Sequence, residues 1–551
     1  MLRDARELES GASVDCGLCI VGGGACGIAI ARAFAGGRTR VCVLESGGLS
    51  PEKRTEDLNR GEDVGPFGYD PLHTARARYL GGTANLWPGR CRPLDPIDFR
   101  RRPWVPDSGW PFGAGELAPY YPRAHALCRL GPFRYDAGYW AEDGAPELPF
   151  DPDRLVSGVW QYTTPPMRFG LTYRGELERA PNVEVLLHAN AVELVTDDGA
   201  RAVTLVRAAC LDGPSFAVRA RAVVLACGAL EVPRLLLASN RTAPRGLGNL
   251  HDVVGRYFME HPHVYPGTAE LVVADPKAPL ALYQRANRRG SDVHGRIGPS
   301  ERAQEEHGLL NLDLTLLPGG SAEPGYRAMR RLARWALVHG RMPEGWLGYC
   351  AEAVRDIGGV VGGALYYSGL WRRRARRYAI LTSAEQQPNP DSRVTLSPTA
   401  RDALGLPRLR LDWRLTALDR HSVVAGTRLL AAELERLGIA TVRLADWAAA
   451  DDDGAWPSKV DGGCHNLGTA RMSDDPRRGV VDADCRVHGL GNLYVAGGAV
   501  FPTGGAANPT LTMLALALRL ADHLRTALGE RRPAAAEPEA APSAPVAAAG
   551  P

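Results

Sequence analysis

The spacing of apolar residues changes along the chain, and each change predicts an element. "CGLCIV" (16–21) is a continuous apolar run, short enough for a buried strand. It runs into three glycines. "ACGIAIARAFA" (25–35) follows, with the small residues of a closely packed helix, and "RVCVL" (40–44) reads as a second buried strand. The same grammar returns much later. "RARAVVLACGALEVPRLLLASN" (219–240) predicts a strand, a glycine turn and a helix from about Pro233. "NLYVAGGAVFP" (492–502) is a strand running into glycines, and "NPTLTMLALALRLADHL" (508–524) has Leu and Ala at helical spacing. One α/β layer is thus assembled from distant segments, and the chain between them must build something else.

That intervening chain alternates at period two. "LLNLDLTLL" (309–317) sets Leu310, Leu312, Leu314 and Leu316 on one face. "RLRLDWRL" (408–415) sets Leu409, Leu411, Trp413 and Leu415 opposite Arg408, Arg410, Asp412 and Arg414. Together with "AILTSAEQ" (379–386) and "RVTLS" (393–397), these predict one antiparallel sheet with a wet face. Such a sheet would wall a pocket at the domain interface.

Composition narrows the picture. A chain of 551 residues exceeds one ordinary core. Its 65 basic and 62 acidic residues give +3, without the basic excess of a nucleic-acid binder. No apolar run reaches the roughly 18–20 residues that span a bilayer. "MLRDARELESGASVD" lacks the apolar stretch of a secretion signal, so the expected location is cytoplasmic. The eleven Cys cannot all pair. Cys16 and Cys19 lie three apart in a strand and face opposite sides, which argues against a redox or zinc pair. The His residues lack metal-ligand spacing with Cys or carboxylates, so no metal is expected. The Pro/Ala-rich end, 531–551, reads as a disordered tail. Residues 327–377 carry eleven Arg against three acids. They read as a solvated helical face, or as a surface for an acidic partner or membrane.

The first glycine turn has the chemistry of a dinucleotide site. In Gly22-x-Gly24-x-x-Gly27, Gly22 permits the tight turn, Gly24 lets backbone approach a pyrophosphate, and Gly27 lets helix and strand pack closely. The helix N-terminus offers N–H groups to phosphates. Glu45, at the end of the second strand, can accept from a ribose diol and disfavours NADP. The motif leaves NAD and FAD open.

Six ordered blocks make the chain resemble the glucose–methanol–choline (GMC) family of FAD-dependent oxidoreductases from about residue 14 to 526. They are "RARYLGGTANLWPGRCRPLDPIDF" (76–99), "VVLACGALEVPRLLL" (223–237), "VGRYFMEHP" (254–262), "EQQPNPDSRVTLS" (385–397), "CHNLGTARMSDDPRRGVVDADCRVHG" (464–489) and "NLYVAGGAVFPTGGAANPTLT" (492–512). The flavour is that of the sugar oxidases and dehydrogenases. The resemblance implies a Rossmann-like FAD domain from 1–90, 183–262 and 455–530, interleaved with a substrate domain from 91–182 and 263–454. It implies that Gly81, Gly82 and Thr83 run beside flavin and pyrophosphate, with Asn85 and Leu86 in the same segment. Ala191 and Val192 would reach adenine, and Ala226 and Gly228 the ADP portion. Gly498, Ala499, Asn508, Pro509 and Thr510 would surround the ribityl and pyrimidine side. Some relatives attach FAD through a His in the segment matching "GGTANLW". Leu86 stands there and has no nucleophilic nitrogen, so the expected FAD is non-covalent.

The same resemblance assigns His465 as the catalytic histidine and Asn508 as its partner. A neutral His, with an ordinary pKa near ~6.5, can take an alcohol proton while hydride leaves carbon for the flavin. Asn508 can hold the developing alkoxide without exchanging a proton. His261 and His263 read as structural or near the pocket rim, and His488 as a turn residue. The expected activity is oxidation of a CH–OH group on a sugar, glycoside or natural-product sugar such as an aminoglycoside. Dioxygen, a quinone or a protein would take the electrons. The alternatives are an FAD-containing cyanohydrin lyase and a non-catalytic protein that keeps the fold.

Overall fold

The computed structural model describes residues 1–530 except 70, 265–266, 274, 276–277, 319–323, 340–341, 343–344, 368–376, 451–455 and 458–459. The tail at 531–551 and Arg341, Arg372–Arg374 and Arg376 lie outside the described residues.

The α/β layer is an eight-stranded sheet. Its order is Leu2–Asp4, Val183–Leu187, Val41–Leu44, Ser13–Val21, Ser215–Leu225, Val203–Ala209, Asn190–Thr196, with Leu493–Val495 also on Ser215–Leu225. Ser13–Val21, Val41–Leu44 and Leu493–Val495 all join in parallel. Leu18, Cys19 and Ile20 are fully buried, as a central parallel strand requires. Cys16 is only half-buried, and every cysteine is a free thiol. The helix Ala25–Phe34 follows the first strand and packs on the C-terminal helix Thr510–Ala527. The other expected helix starts at Glu231, two residues before Pro233. Proline is tolerated there because first-turn N–H groups have no partner within the helix.

The intervening chain departs from the one-sheet expectation. Leu312–Pro318 and Arg377–Ala384 do pair antiparallel, in a ten-stranded sheet. Arg393–Arg401 and Pro407–Asp412 belong to a separate three-stranded sheet with Glu62–Asp63. There Leu409, Leu411 and Trp413 close a small core with Tyr69 and Phe258. Leu415 is only half-buried. Nor is there a wet face on Leu312–Pro318. Asn311, Asp313 and Thr315 are as buried as the leucines. Asp313 Oδ1 takes the Arg296 Nη1 donor at 2.7 Å instead of water. Alternation reports a polar neighbour, and an ion pair satisfies a polar side chain as well as solvent does.

A second buried pair joins segments distant in the chain. Arg102 makes a two-pronged contact with Glu385, Nη1 to Oε2 at 2.7 Å and Nη2 to Oε1 at 2.6 Å. Both side chains are essentially inaccessible. Glu385 also accepts from the N–H groups of Asn311 and Gly505.

The expected basic helix is present as Pro324–His339, followed by Trp346–Arg355 and Ile357–Tyr367. Tyr326 lies on Gly363, where a Cβ would come within 2.2 Å of the ring. The solvated-face reading holds only in part, since Arg327, Arg330 and Arg331 line a deep cavity. Trp346, Leu347, Val354, Ile357 and Val361 are exposed on the two following helices. No helix among the described residues is long and apolar enough to cross a membrane.

Candidate active site

A cavity of about 1240 Å³ runs from the glycine turn after Ser13–Val21 to the start of the C-terminal helix. This exceeds the roughly 300–1,000 Å³ of an ordinary small-molecule pocket. Gly22, Gly24, Glu45, Ala191, Ala226 and Gly228 line one end. Gly82, Thr83 and Leu86 flank the middle, and His465, Gly498, Asn508, Pro509 and Thr510 close the other end. The remaining expected residues stand behind this surface. A Cβ on Gly27 would meet the Gly22 carbonyl at 2.0 Å, so Gly27 serves the packing of helix on turn. Gly81 has a φ of +103° and donates its N–H to Gly23 O at 2.8 Å. This holds the 81–83 turn against the first glycine loop. Asn85 is buried and donates to Leu80 O. Ala499 is buried too, and accepts from the Ala470 N–H. Val192 is half-buried and is not part of the cavity wall.

Several features suit a dinucleotide. A Cβ on Gly24 would have only the Ala226 carbonyl within 4.0 Å, so backbone there is open to a ligand. Neither Gly24 nor Pro509 caps its helix with a side chain, so two helix N-termini present free N–H groups to one cavity. Glu45 is more committed than its expected ribose role requires. Its Oε2 accepts from Gly23 N–H and its Oε1 from Gly47 N–H, both at 2.9 Å. Burial raises its pKa, and those amides oppose the rise. Each carboxylate oxygen has two lone pairs, so Oε2 retains one for a ligand. Asn190, which the sequence reading passed over, lines the same end with a buried Oδ1 that lacks a partner. These residues fit an adenine dinucleotide at one end and a redox ring at the other.

The His465 end has a determinate proton arrangement. His261 Nε2 lies 2.7 Å from the Gly505 carbonyl, which can only accept, so Nε2 carries hydrogen. Burial lowers the His261 pKa and keeps the ring neutral. Its Nδ1 is then an acceptor. His465 Nδ1, 2.9 Å away, must be the donor. His465 is also held neutral, well below its ordinary value, by burial and by nearby His261, His263 and Arg90. Its Nε2 therefore bears the lone pair and accepts from Asn508 Nδ2 at 2.9 Å. The chain of contacts fixes which nitrogen of His465 carries the lone pair.

Glu260 fixes the backbone beneath it. Its Oε2 accepts the His465 N–H at 2.7 Å, and its Oε1 accepts from Tyr69 Oη and Asn466 Nδ2, each at 2.5 Å. Burial pushes its carboxyl up to about 7. His263 lines the cavity and contacts Ser383 Oγ at 3.0 Å. His261 is thus not at the rim but fully buried, with its Nδ1 against His465. The available signal was "EHPH", three polar residues around Pro262 at the edge of an apolar stretch. His488 is a turn residue as expected, bonded to Ser473 O. Among the described residues no cluster could hold a metal ion.

The chain is similar to known flavin-dependent oxidoreductases. Residues 18–246 match the FAD dependent oxidoreductase model, and residues 388–517 match the GMC oxidoreductase model. The fructose dehydrogenase large subunit of Gluconobacter japonicus is 28% identical, over 56% of this chain; the chain spans about half of that protein's length, 48%. Paromamine 6'-oxidase of Streptomyces fradiae is 26% identical over 80% of this chain and 77% of that protein. Among solved structures, formate oxidase superposes with a TM-score of 0.56 at 17% identity, covering 94% of this chain and 99% of that one. With both matched segments lining one cavity, the chain carries an FAD-dependent oxidoreductase domain at 18–246 followed by a GMC oxidoreductase C-terminal domain at 388–517.

Proposed function

We propose that the protein oxidises a CH–OH group of a sugar, a glycoside or a natural-product sugar, with His465 as base and Asn508 as the alkoxide's hydrogen-bond donor. The observation that carries this reading is the His465 Nε2 lone pair, fixed by His261 and facing Asn508 in the wall of the dinucleotide cavity. FAD, when bound, supplies the hydride acceptor. An incoming hydroxyl replaces the Asn508 N–H as donor to Nε2. His465 takes the hydroxyl proton, and the amide's N–H groups turn to the oxygen left behind. The names of relatives support the class: paromamine 6'-oxidase, fructose dehydrogenase and C-glycoside 3-oxidase all name carbohydrate chemistry.

Anaerobic titration of the holoprotein with sugars, glycosides and simple alcohols tests the reading. Bleaching of the oxidised flavin by one of them supports it. Cleavage of a cyanohydrin with the flavin left oxidised would replace it with the lyase reading.

Two further outcomes are expected. Leu86, which the resemblance sets at the position of the covalent histidine of some relatives, lines the cavity and has no nucleophilic nitrogen, so acid precipitation should leave the yellow colour in the supernatant. Colour in the pellet would show a covalent link elsewhere. The depressed pKa of His465 also sets the pH profile. A base must be unprotonated, and a pKa below 6.5 keeps it so throughout the neutral range. The rate of flavin reduction should therefore hold from pH 8 down to 6.5 and fall only at lower pH. A histidine-like inflection above 6.5 would contradict the neutral, buried site.

A further inference from the structure

Leu312–Pro318 and Arg377–Ala384 pair directly, so the helices described between them are an excursion from two neighbouring strands. Leu317 and Leu381 of those strands line the cavity, and so do Tyr349 and Glu352 of the excursion. Connecting segments set on a rigid sheet are where a scaffold gains ligand contacts.

Helix Trp346–Arg355 is amphipathic in a reversed sense. Leu347 and Val354, seven residues apart, share the outer face and are 66% and 73% exposed. Tyr349 and Glu352, three apart, share the opposite face and turn to the cavity. A helix of a globular protein ordinarily turns its apolar stripe inward and its polar residues to water. The reversal has a reason if the inward face meets something polar that is not protein. Among the described residues, neither the Glu352 carboxylate nor the Tyr349 hydroxyl has a hydrogen-bond or ion-pair partner. Glu352 is exposed and Tyr349 only half-buried, so a ligand in the cavity can reach both.

The two groups select the chemistry of that ligand. An ionised carboxylate only accepts, and its two oxygens match two neighbouring hydroxyl donors. The phenol can give or take a further hydrogen bond. An ammonium would also satisfy Glu352, but it would lie beside the Arg331 guanidinium, whose Cζ is 5.2 Å from the Tyr349 ring centroid. Hydroxyls carry no charge and meet no such opposition. His465 follows the strand Val460–Gly462, and Asn508 precedes the helix Thr510–Ala527. The excursion thus adds contacts beyond those that the reacting hydroxyl itself requires.

We propose that Glu352 and Tyr349 form a subsite for an uncharged polyhydroxylated ring next to the one that is oxidised, so that the substrate is a glycoside of at least two rings. The inference rests on the oxidation reading above and names the substrate class of the same site.

The test uses the holoprotein and pairs of compounds that differ by one ring: methyl β-D-glucoside with cellobiose, methyl β-D-galactoside with lactose, and methyl α-D-glucoside with maltose. Stopped-flow flavin reduction without air gives the limiting rate and the concentration at half-saturation, and calorimetry gives binding. In at least one pair the two-ring compound should half-saturate at a roughly tenfold lower concentration, with a similar limiting rate. Glu352→Gln should remove most of that advantage, and Tyr349→Phe part of it.

Equal half-saturation in every pair overturns the proposal and leaves the oxidation reading in place, as does an advantage that survives Glu352→Gln. An equal loss for one-ring and two-ring compounds in Glu352→Gln overturns it too, since that marks a general disturbance of the wall. Preference for the β-1,4-linked glucosamine dimer over cellobiose replaces the hydroxyls by an ammonium. If a two-ring compound binds through Glu352 but no compound bleaches the flavin, the subsite stands and the oxidation reading falls. If nothing binds and nothing bleaches, both fall.

Discussion

Replacing His465 with alanine is expected to give a yellow, folded protein whose flavin is reduced by substrate roughly 10²–10⁴-fold more slowly. The two halves of that expectation have separate causes. FAD retention follows because the cavity's glycine end, with Gly24, Glu45 and Asn190, is built from other segments of the chain. The slow reduction follows because, among the described residues, His465 supplies the one side-chain nitrogen bonded to Asn508. His261 is a poor substitute, since its Nε2 is tied to the Gly505 carbonyl and its Nδ1 faces His465 rather than a substrate. Asn508→Ala should be milder, on the order of tenfold to a few hundredfold, because it removes one donor to the developing charge and leaves the base. Stopped-flow reduction of each variant gives the comparison. A His465→Ala protein that reduces at the parental rate would remove His465 from the chemistry, and a colourless one would show that it serves FAD binding.

Arg102→Met is expected to destabilise the protein by about 3–5 kcal/mol, the usual cost of leaving one partner of a buried ion pair alone. The abandoned group would be Glu385, which is fully buried and would keep only the Asn311 and Gly505 amides as donors. The strand end at 384–386 and the loop at 505 would feel the loss together. Because the Gly505 carbonyl holds His261, the damage should also reach the proton arrangement at His465. A lower urea midpoint for flavin release measures the stability. The double variant Arg102→Met with Glu385→Leu should recover much of it, since an apolar pair of similar volume avoids the buried charge. Equal instability of single and double variants would mean that packing volume, not charge, governs the site.

The glycine loop, its helix and Glu45 were legible because backbone constraints write themselves into residue identity. A Cβ cannot fit where Gly27 meets Gly22, and no other residue type solves that contact. His465 and Asn508 were legible through the family blocks, and the structure sets them 2.9 Å apart. His261 and Glu260 were not. Their work is done on a neighbour's proton and on a neighbour's backbone, and neither contact has a spacing in sequence, being 204 and 205 residues long. The wet face expected along 309–317 failed for a related reason. Asp313 looks alike in sequence whether it meets water or Arg296.

The strand Ser215–Leu225 lies between Ser13–Val21 on one edge and Leu493–Val495 on the other, and the cavity wall runs in sequence from Val21 to Met513. This connectivity has a consequence for biosynthesis. At about 5–20 residues per second, the ribosome needs roughly 25 to 100 seconds to deliver the last wall residues after the first. Throughout that interval the glycine loop exists without Asn508 or the helix that follows it. Tight capture of the cofactor is thus deferred until nearly the whole polypeptide has emerged. Cofactor supply then acts on the finished chain, and prematurely terminated products remain colourless.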